Sequence, residues 1–179
     1  EGLIAQYDDE SRQVQYTDPE KAQSLAKDAA ALLQQLINYI KAEPGDHSKD
    51  IYAYEQLLGD EVVRSGDGAQ GKKIFSALYN QNKMDLTNRI GYAHACLVAG
   101  DYQNAHNLYV DIIPKLEPGS DLFWEAYYYL IQSNEKLGLY QDDTKQALES
   151  LSTIYGSQIG GKYYHDEFAG FLQEYNIDG

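Results

Sequence analysis

The stretch Tyr92-Ala93-His94-Ala95-Cys96-Leu97-Val98-Ala99-Gly100-Asp101-Tyr102-Gln103-Asn104-Ala105-His106-Asn107-Leu108-Tyr109 decides the fold. It reads as a helix, a stop and a second helix. Ile90, Ala93 and Leu97 recur at three and four residues, so they share one helical stripe. Gly100 ends that stripe, because glycine accepts the left-handed backbone with which helices close. Ala105, Leu108, Tyr109 and Ile112 then restart the same period.

Outward from this stretch the pattern recurs. Upstream stands Ser65-Gly66-Asp67-Gly68, and downstream Leu137-Gly138-Leu139-Tyr140. Gly66 and Gly100 are 34 residues apart, and Gly100 and Gly138 are 38 apart. A period in this range marks helical hairpins stacked as a solenoid. Tyr54, Leu57, Leu58 and Val62 lead into Gly66, and Ile74, Phe75 and Leu78 follow it. Tyr127, Leu130 and Ile131 lead into Gly138, and Ala147, Leu148, Leu151 and Ile154 follow it. Asp85 caps the second hairpin, and Ser120 or Asp121 caps the third after Pro118-Gly119. The spacing predicts hairpins over about 50–82, 86–115 and 121–155. No alternation of period two occurs, so no sheet is expected.

The two ends read differently. Thr17-Asp18-Pro19-Glu20 opens a helix with a capping side chain, a proline in the first turn and an acid at the positive end. Ala22, Leu25, Ala26, Ala29, Leu33, Leu36, Ile37 and Ile40 continue it as one stripe before Pro44-Gly45. This predicts a long helix over 18–43. Residues 1–16 show no sustained period and carry Asp8, Asp9 and Glu10, which reads as an acidic arm. Residues 17–179 then form a single helical domain. After the glycine-rich loop 156–161, Tyr164, Phe168, Phe171, Leu172 and Tyr175 return at helical spacing and predict a helix over 162–175.

Composition narrows the function classes. The chain carries 14 basic and 28 acidic residues, a net charge of −14. Broad nucleic-acid binding needs clustered Lys and Arg and is excluded, and an anionic membrane surface is disfavoured. A basic partner suits this charge, as does plain solubility. No run of 18 apolar residues is present to span a membrane. Cys96 is the single cysteine, so no internal disulfide can form; its apolar helical setting suits a small buried hydrophobe. The 17 tyrosines tolerate a half-wet surface, because ring and hydroxyl differ in polarity. Residue 1 is Glu, which suggests a processed, trimmed or partial chain and, with the acidic tyrosine-rich surface, an extracytoplasmic location.

No motif for catalysis is found. Gly66-Asp67-Gly68-Ala69-Gln70-Gly71-Lys72-Lys73 fits the start of a phosphate-binding loop. Its last position is Lys73 where a Ser or Thr should hold Mg²⁺, and a helix precedes it where a strand is required. It is read as a hairpin turn. His47, His94, His106 and His165 form no spaced ligand set, so no metal is expected. Asn80 to Asp85 lacks the glycine and distal Glu of a calcium loop. No nucleophile elbow or Cys/His pair is recognisable, and no catalytic residue or cofactor is assigned.

The repeat resembles the tetratricopeptide repeat family. The first unit offers Leu58-Gly59, Gly66-Asp67 and Phe75, with Gly71 where the family favours Ala. The second offers Tyr92-Ala93, Gly100-Asp101-Tyr102, Ala105 and Tyr109, and matches best. The third offers Leu130-Ile131, Gly138-Leu139-Tyr140 and a displaced Ala147. The resemblance covers roughly 50–155. It implies an all-α protein: a short right-handed α–α solenoid of about three hairpins, closed by the long helix and capped by the helix over 162–175.

The same resemblance implies a non-catalytic protein–protein interaction or scaffold module, or a structural subunit of a hetero- or homo-oligomeric assembly. An accessory helical domain or subunit of an enzyme complex is the alternative. The partner is another protein or peptide. The groove positions carried over are Gln56, Asp60 and Val63 in the first unit, and Ile90, His94 and Leu97 in the second. In the third they are Tyr128, Gln132 and Glu135. With Asp60 and Glu135 there and no Lys, a clamp on a peptide's terminal carboxylate is not expected. The run Trp124 to Tyr129 places four aromatics around almost a full turn, so some must meet a neighbouring helix or a partner.

Overall fold

The computed structural model describes residues 2–15 and 17–177, and all regular structure among them is helical. The helices are α1 (Gly2–Val14), α2 (Pro19–Ala42), α3 (Ser48–Arg64), α4 (Gly68–Gln81) and α5 (Leu86–Val98), then α6 (Tyr102–Ile112), α7 (Asp121–Leu137), α8 (Gln141–Tyr155) and α9 (His165–Glu174). Helices adjacent in sequence pack together, α1 on α2, α2 on α3, α3 on α4 and α4 on α5. The chain divides into two compact units, Glu1–Gly100 and Asp101–Gly179. The division falls at the Gly100-Asp101 turn, inside what the sequence presents as the second hairpin of one domain.

The acidic arm expected over 1–16 is corrected; Glu1 and Tyr16 lie outside the described residues. Residues 2–14 form α1, whose inward stripe is Ile4, Tyr7, Ser11 and Val14. The stripe escapes a search for apolar periodicity because its one buried member is a serine. Ser11 donates its hydroxyl to the carbonyl of Ala22, 3.0 Å away, and so spends its polarity inside the α1–α2 contact. Pairs four residues apart support the outer face: Gln6 to Glu10, Arg12 to Asp8 and Gln13 to Asp9. Ile4 reaches the apolar cluster of Leu33, Ile37 and Leu58.

α2 begins where the sequence places it. Asp18 accepts from the Lys21 amide at 3.1 Å, with Pro19 in the first turn. Its buried stripe of Ala22, Ala26, Ala29, Leu33 and Ile37 is small at one end and large at the other.

α3, α4 and α5 pack through glycines. Phe75 of α4 is fully buried between Gly59 of α3 and Gly91 of α5. A methyl group on Gly59 would lie 2.8 Å from the Phe75 ring, and one on Gly91 would overlap it further. Gly68 presses on the α5 backbone at Ala95 and Ala99, and Gly71 on Val63. This settles the structure of the phosphate-loop look-alike. It is a turn, with Asp67 capping the Gln70 amide at 2.9 Å, and its glycines admit neighbouring helices.

The second unit is packed with rings. Phe123, Trp124 and Tyr128 of α7 are buried, while Tyr127 and Tyr129 are half-buried. Trp124 meets Phe168 at 5.3 Å and Tyr155 at 4.7 Å between ring centres, both edge to face. Such contacts are worth about 0.5–1.5 kcal/mol each beyond area burial. α9 therefore lays Phe168 and Phe171 on Trp124 and Tyr128. It starts at His165, three residues later than expected, because Gly160 and Gly161 take left-handed backbone and turn the chain first.

Candidate functional site

The groove residues predicted from the sequence separate into two groups. Val63, Ile90 and Leu97 are core residues of the first unit, and Tyr128 is a core residue of the second. These four are corrected, since a buried side chain offers a partner nothing. The apolar members of the transferred positions turned inward, whereas Gln56, Asp60, His94 and Gln132 are half-buried and Glu135 is exposed.

Gln56, Asp60 and His94 are half-buried in the first unit, on α3 and α5. Gln56 belongs to a closed network. Its amide donates to Asp85 at 3.0 Å and to Asn88 at 2.9 Å. The Tyr52 hydroxyl donates to Asp85 at 2.9 Å and accepts from the Asn88 amide at 2.6 Å. Asp85 also caps α5 by accepting from the Thr87 amide. Asn88 is fully buried, and a fully partnered polar group in a core fixes one register of α3 against α5.

Further along α3, Arg64 donates to both Asp8 of α1 and Glu61. Arg12 adds a second guanidinium to Asp8 at 2.8 Å. The Glu61 side chain is only 1% exposed and that of Arg64 12%. Burial pushes the Glu61 carboxyl up to about 8, with Arg64 pulling against it and neighbouring Asp8 raising it further. Burial also acts on Asp8, yet Arg64 and Arg12 together hold it below its ordinary value. The two carboxyls thus share one cation unequally, one ionised and one protonated at neutral pH. Burial raises the Asp60 carboxyl to about 6. It lowers His94 to about 3, and the nearby Arg64 and Arg12 charges act in the same direction. His94 is therefore a neutral imidazole at neutral pH.

This gathers Asp8, Arg12, Asp60, Arg64 and His94 from α1, α3 and α5. The sequence pointed to Asp60 and His94 and missed the others. Asp8 and Arg12 carried one usable signal, an acid–base pair four residues apart. Arg64 carried none, as its partner lies 56 residues away.

In the second unit Gln132 is half-buried and donates to the Tyr128 hydroxyl at 2.6 Å. Glu135 is exposed; partial burial and then Glu174 raise its carboxyl. His106 stacks on Tyr140 at 3.9 Å and donates to the Asn134 side chain at 2.6 Å. Asn134 in turn donates to Thr144 at 2.9 Å. The stack accompanies a left-handed backbone at Tyr140, unusual for a bulky residue.

Among the described residues, no group of three His, Cys, Asp or Glu is placed to hold a metal ion. No helix among them is long and apolar enough to cross a membrane. Cys96 is buried. Comparison with protein-family models, curated proteins and solved structures finds no match.

Proposed function

We propose that this chain is a non-catalytic protein–protein interaction or scaffold module of tetratricopeptide-like helical hairpins. The observation that carries this reading is the α3–α5 face of the first unit. The Tyr52–Gln56–Asp85–Asn88 network holds it rigid, and Asp60 and His94 stand half-buried beside it. Rigid polar positions on packed helices are what recognition requires, because little ordering is left to do on binding. Pairwise packing of α1 with α2 supports counting them as a further hairpin ahead of the three read from the sequence.

The partner is a protein or peptide, and the net charge of −14 favours a basic one. Purification of the tagged chain from the organism that makes it tests this reading. The expected result is a stoichiometric, non-catalytic protein partner, with Asp60→Lys reducing recovery. Recovery with one catalytic chain would instead identify an accessory subunit of an enzyme. A chain that turns over a substrate by itself would end the reading.

A further inference from the structure

The second unit contains an open cleft of about 490 Å³ that the interaction reading does not use. Trp124 and Tyr155 line it, and glycines pack closely against both rings, Gly161 on Trp124 and Gly119 on Tyr155. A methyl group on Gly161 would fall 2.5 Å from Trp124 Cδ1 and 2.8 Å from its Nε1, so this edge of the indole faces Gly161 and the cleft that both line. A methyl group on Gly119 would come within 3.3 Å of the Tyr155 ring.

Trp124 is 98% buried, being 2% exposed. It makes edge-to-face contacts with Phe123, Tyr155 and Phe168. Its Nε1–H has no hydrogen-bond partner among the described residues. The N–H is not among the buried unpartnered polar atoms, so it stays open to water or to an acceptor in the cleft that Trp124 lines. An acceptor arriving in the cleft would supply a partner.

The remaining lining specifies the acceptor. Ser157 and Gln158 contribute a hydroxyl and an amide, both exposed. His165 at the rim lies 3.2 Å from the Asp166 carboxylate. Asp166 and Glu167 follow in the first turn of α9 and repel an anion. The cleft therefore offers ring surface, uncharged donors and acceptors, and no net positive charge. The volume falls in the range of small-molecule sites, which combine apolar walls with few polar groups. We propose that this cleft binds the ring of a neutral sugar. The C–H face lies on Tyr155, the hydroxyls meet Ser157 and Gln158, and a ring or hydroxyl oxygen accepts from Trp124.

Trp124 is the chain's only tryptophan, so its emission reports this site alone. The intact chain is titrated with glucose, galactose, mannose and N-acetylglucosamine. Tryptophan emission and saturation-transfer NMR on the sugar protons are followed, with acetate, phosphate and a blocked tripeptide as comparison probes. The expected result is a saturable response to at least one sugar. Gln158→Ala or Ser157→Ala, both at the surface, weakens it about fivefold to tenfold. Silence with every sugar in both measurements overturns the proposal. So does a response that neither substitution alters, or one confined to acetate, phosphate or the tripeptide.

Discussion

The two units of this chain meet the same demand, joining short helices firmly, with opposite materials. In Glu1–Gly100 the contacts are made close by glycines and specific by polar groups. Phe75 sits between two glycines, Asn88 is buried within a network, and Arg64 joins α1 to α3 through Asp8. In Asp101–Gly179 the contacts are bulky and apolar, with Trp124 meeting three rings. Ring packing tolerates drift in register, because edge-to-face contacts accept a range of angles. Hydrogen-bonded charge clusters do not. The difference matches the sequence, where the second unit's turn is displaced to a spacing of 38 and carries a left-handed tyrosine.

The contrast can be broken by substitution, and the largest effect is expected in the aromatic unit. Trp124→Ala empties the centre of its core and should destabilise it by about 3–5 kcal/mol, read as lost amide-exchange protection in Asp101–Gly179. In the first unit, Arg64→Ala removes the cation that joins Asp8 to Glu61, leaving Asp8 with Arg12 and the neutral Glu61 with one hydrogen bond fewer. A loss of about 1–3 kcal/mol is expected in chemical denaturation, with the amides of α1 exchanging first. Gly91→Ala forces the Phe75 ring to move and should cost about 1–3 kcal/mol. Phe75→Leu in the same chain should recover part of that loss, whereas the two effects adding fully would mean that the ring is not wedged.

The smallest effect is a pH dependence confined to the polar unit. Glu61 titrates at about 8 when folded against an ordinary 4.5, so folding favours its protonated form. That contribution is complete below about 4.5 and is lost as pH rises through 8. The groups acting on it are Arg64 of α3 and Asp8 and Arg12 of α1. Asp60 loses its own contribution earlier, through about 6. His94, depressed to about 3, acts oppositely and loses its contribution as pH falls below 6.5. Between pH 6.5 and 8.5 the fall belongs to Glu61. Thermal denaturation should show the chain weakening over that window and Glu61→Gln staying flat, because the amide keeps an acceptor for Arg64 without titrating.

Much of the helical plan was legible. The glycine stops, the capped start of α2 and the apolar stripes predict most helix positions to within a few residues. Three things were not. α1 hid because Ser11 occupies the buried place of its stripe, and periodicity searches count only apolar residues. Gly59 read as a family match and Gly71 as a departure from one, and Gly91 was passed over, because a glycine's close neighbour lies on another helix. The charge cluster was half-visible: Asp60 and His94 followed from the family resemblance, whereas Arg64 finds Asp8 only after the chain has folded. Four of the nine transferred groove positions proved to be core, since a stripe read without its packing partners does not say which edge turns inward.

The account rests on the half-buried Asp60 face as a recognition surface, and its ionisation offers the most direct test. A basic peptide selected from a displayed random library is titrated calorimetrically against the chain at pH 5 and pH 7.5. Asp60 is charged only at the higher value, and His94 stays neutral at both. Affinity should fall about tenfold at pH 5, the worth of one charge-assisted contact, and Asp60→Asn should abolish that difference. Equal pH dependence in both chains would contradict the account and move recognition off this face.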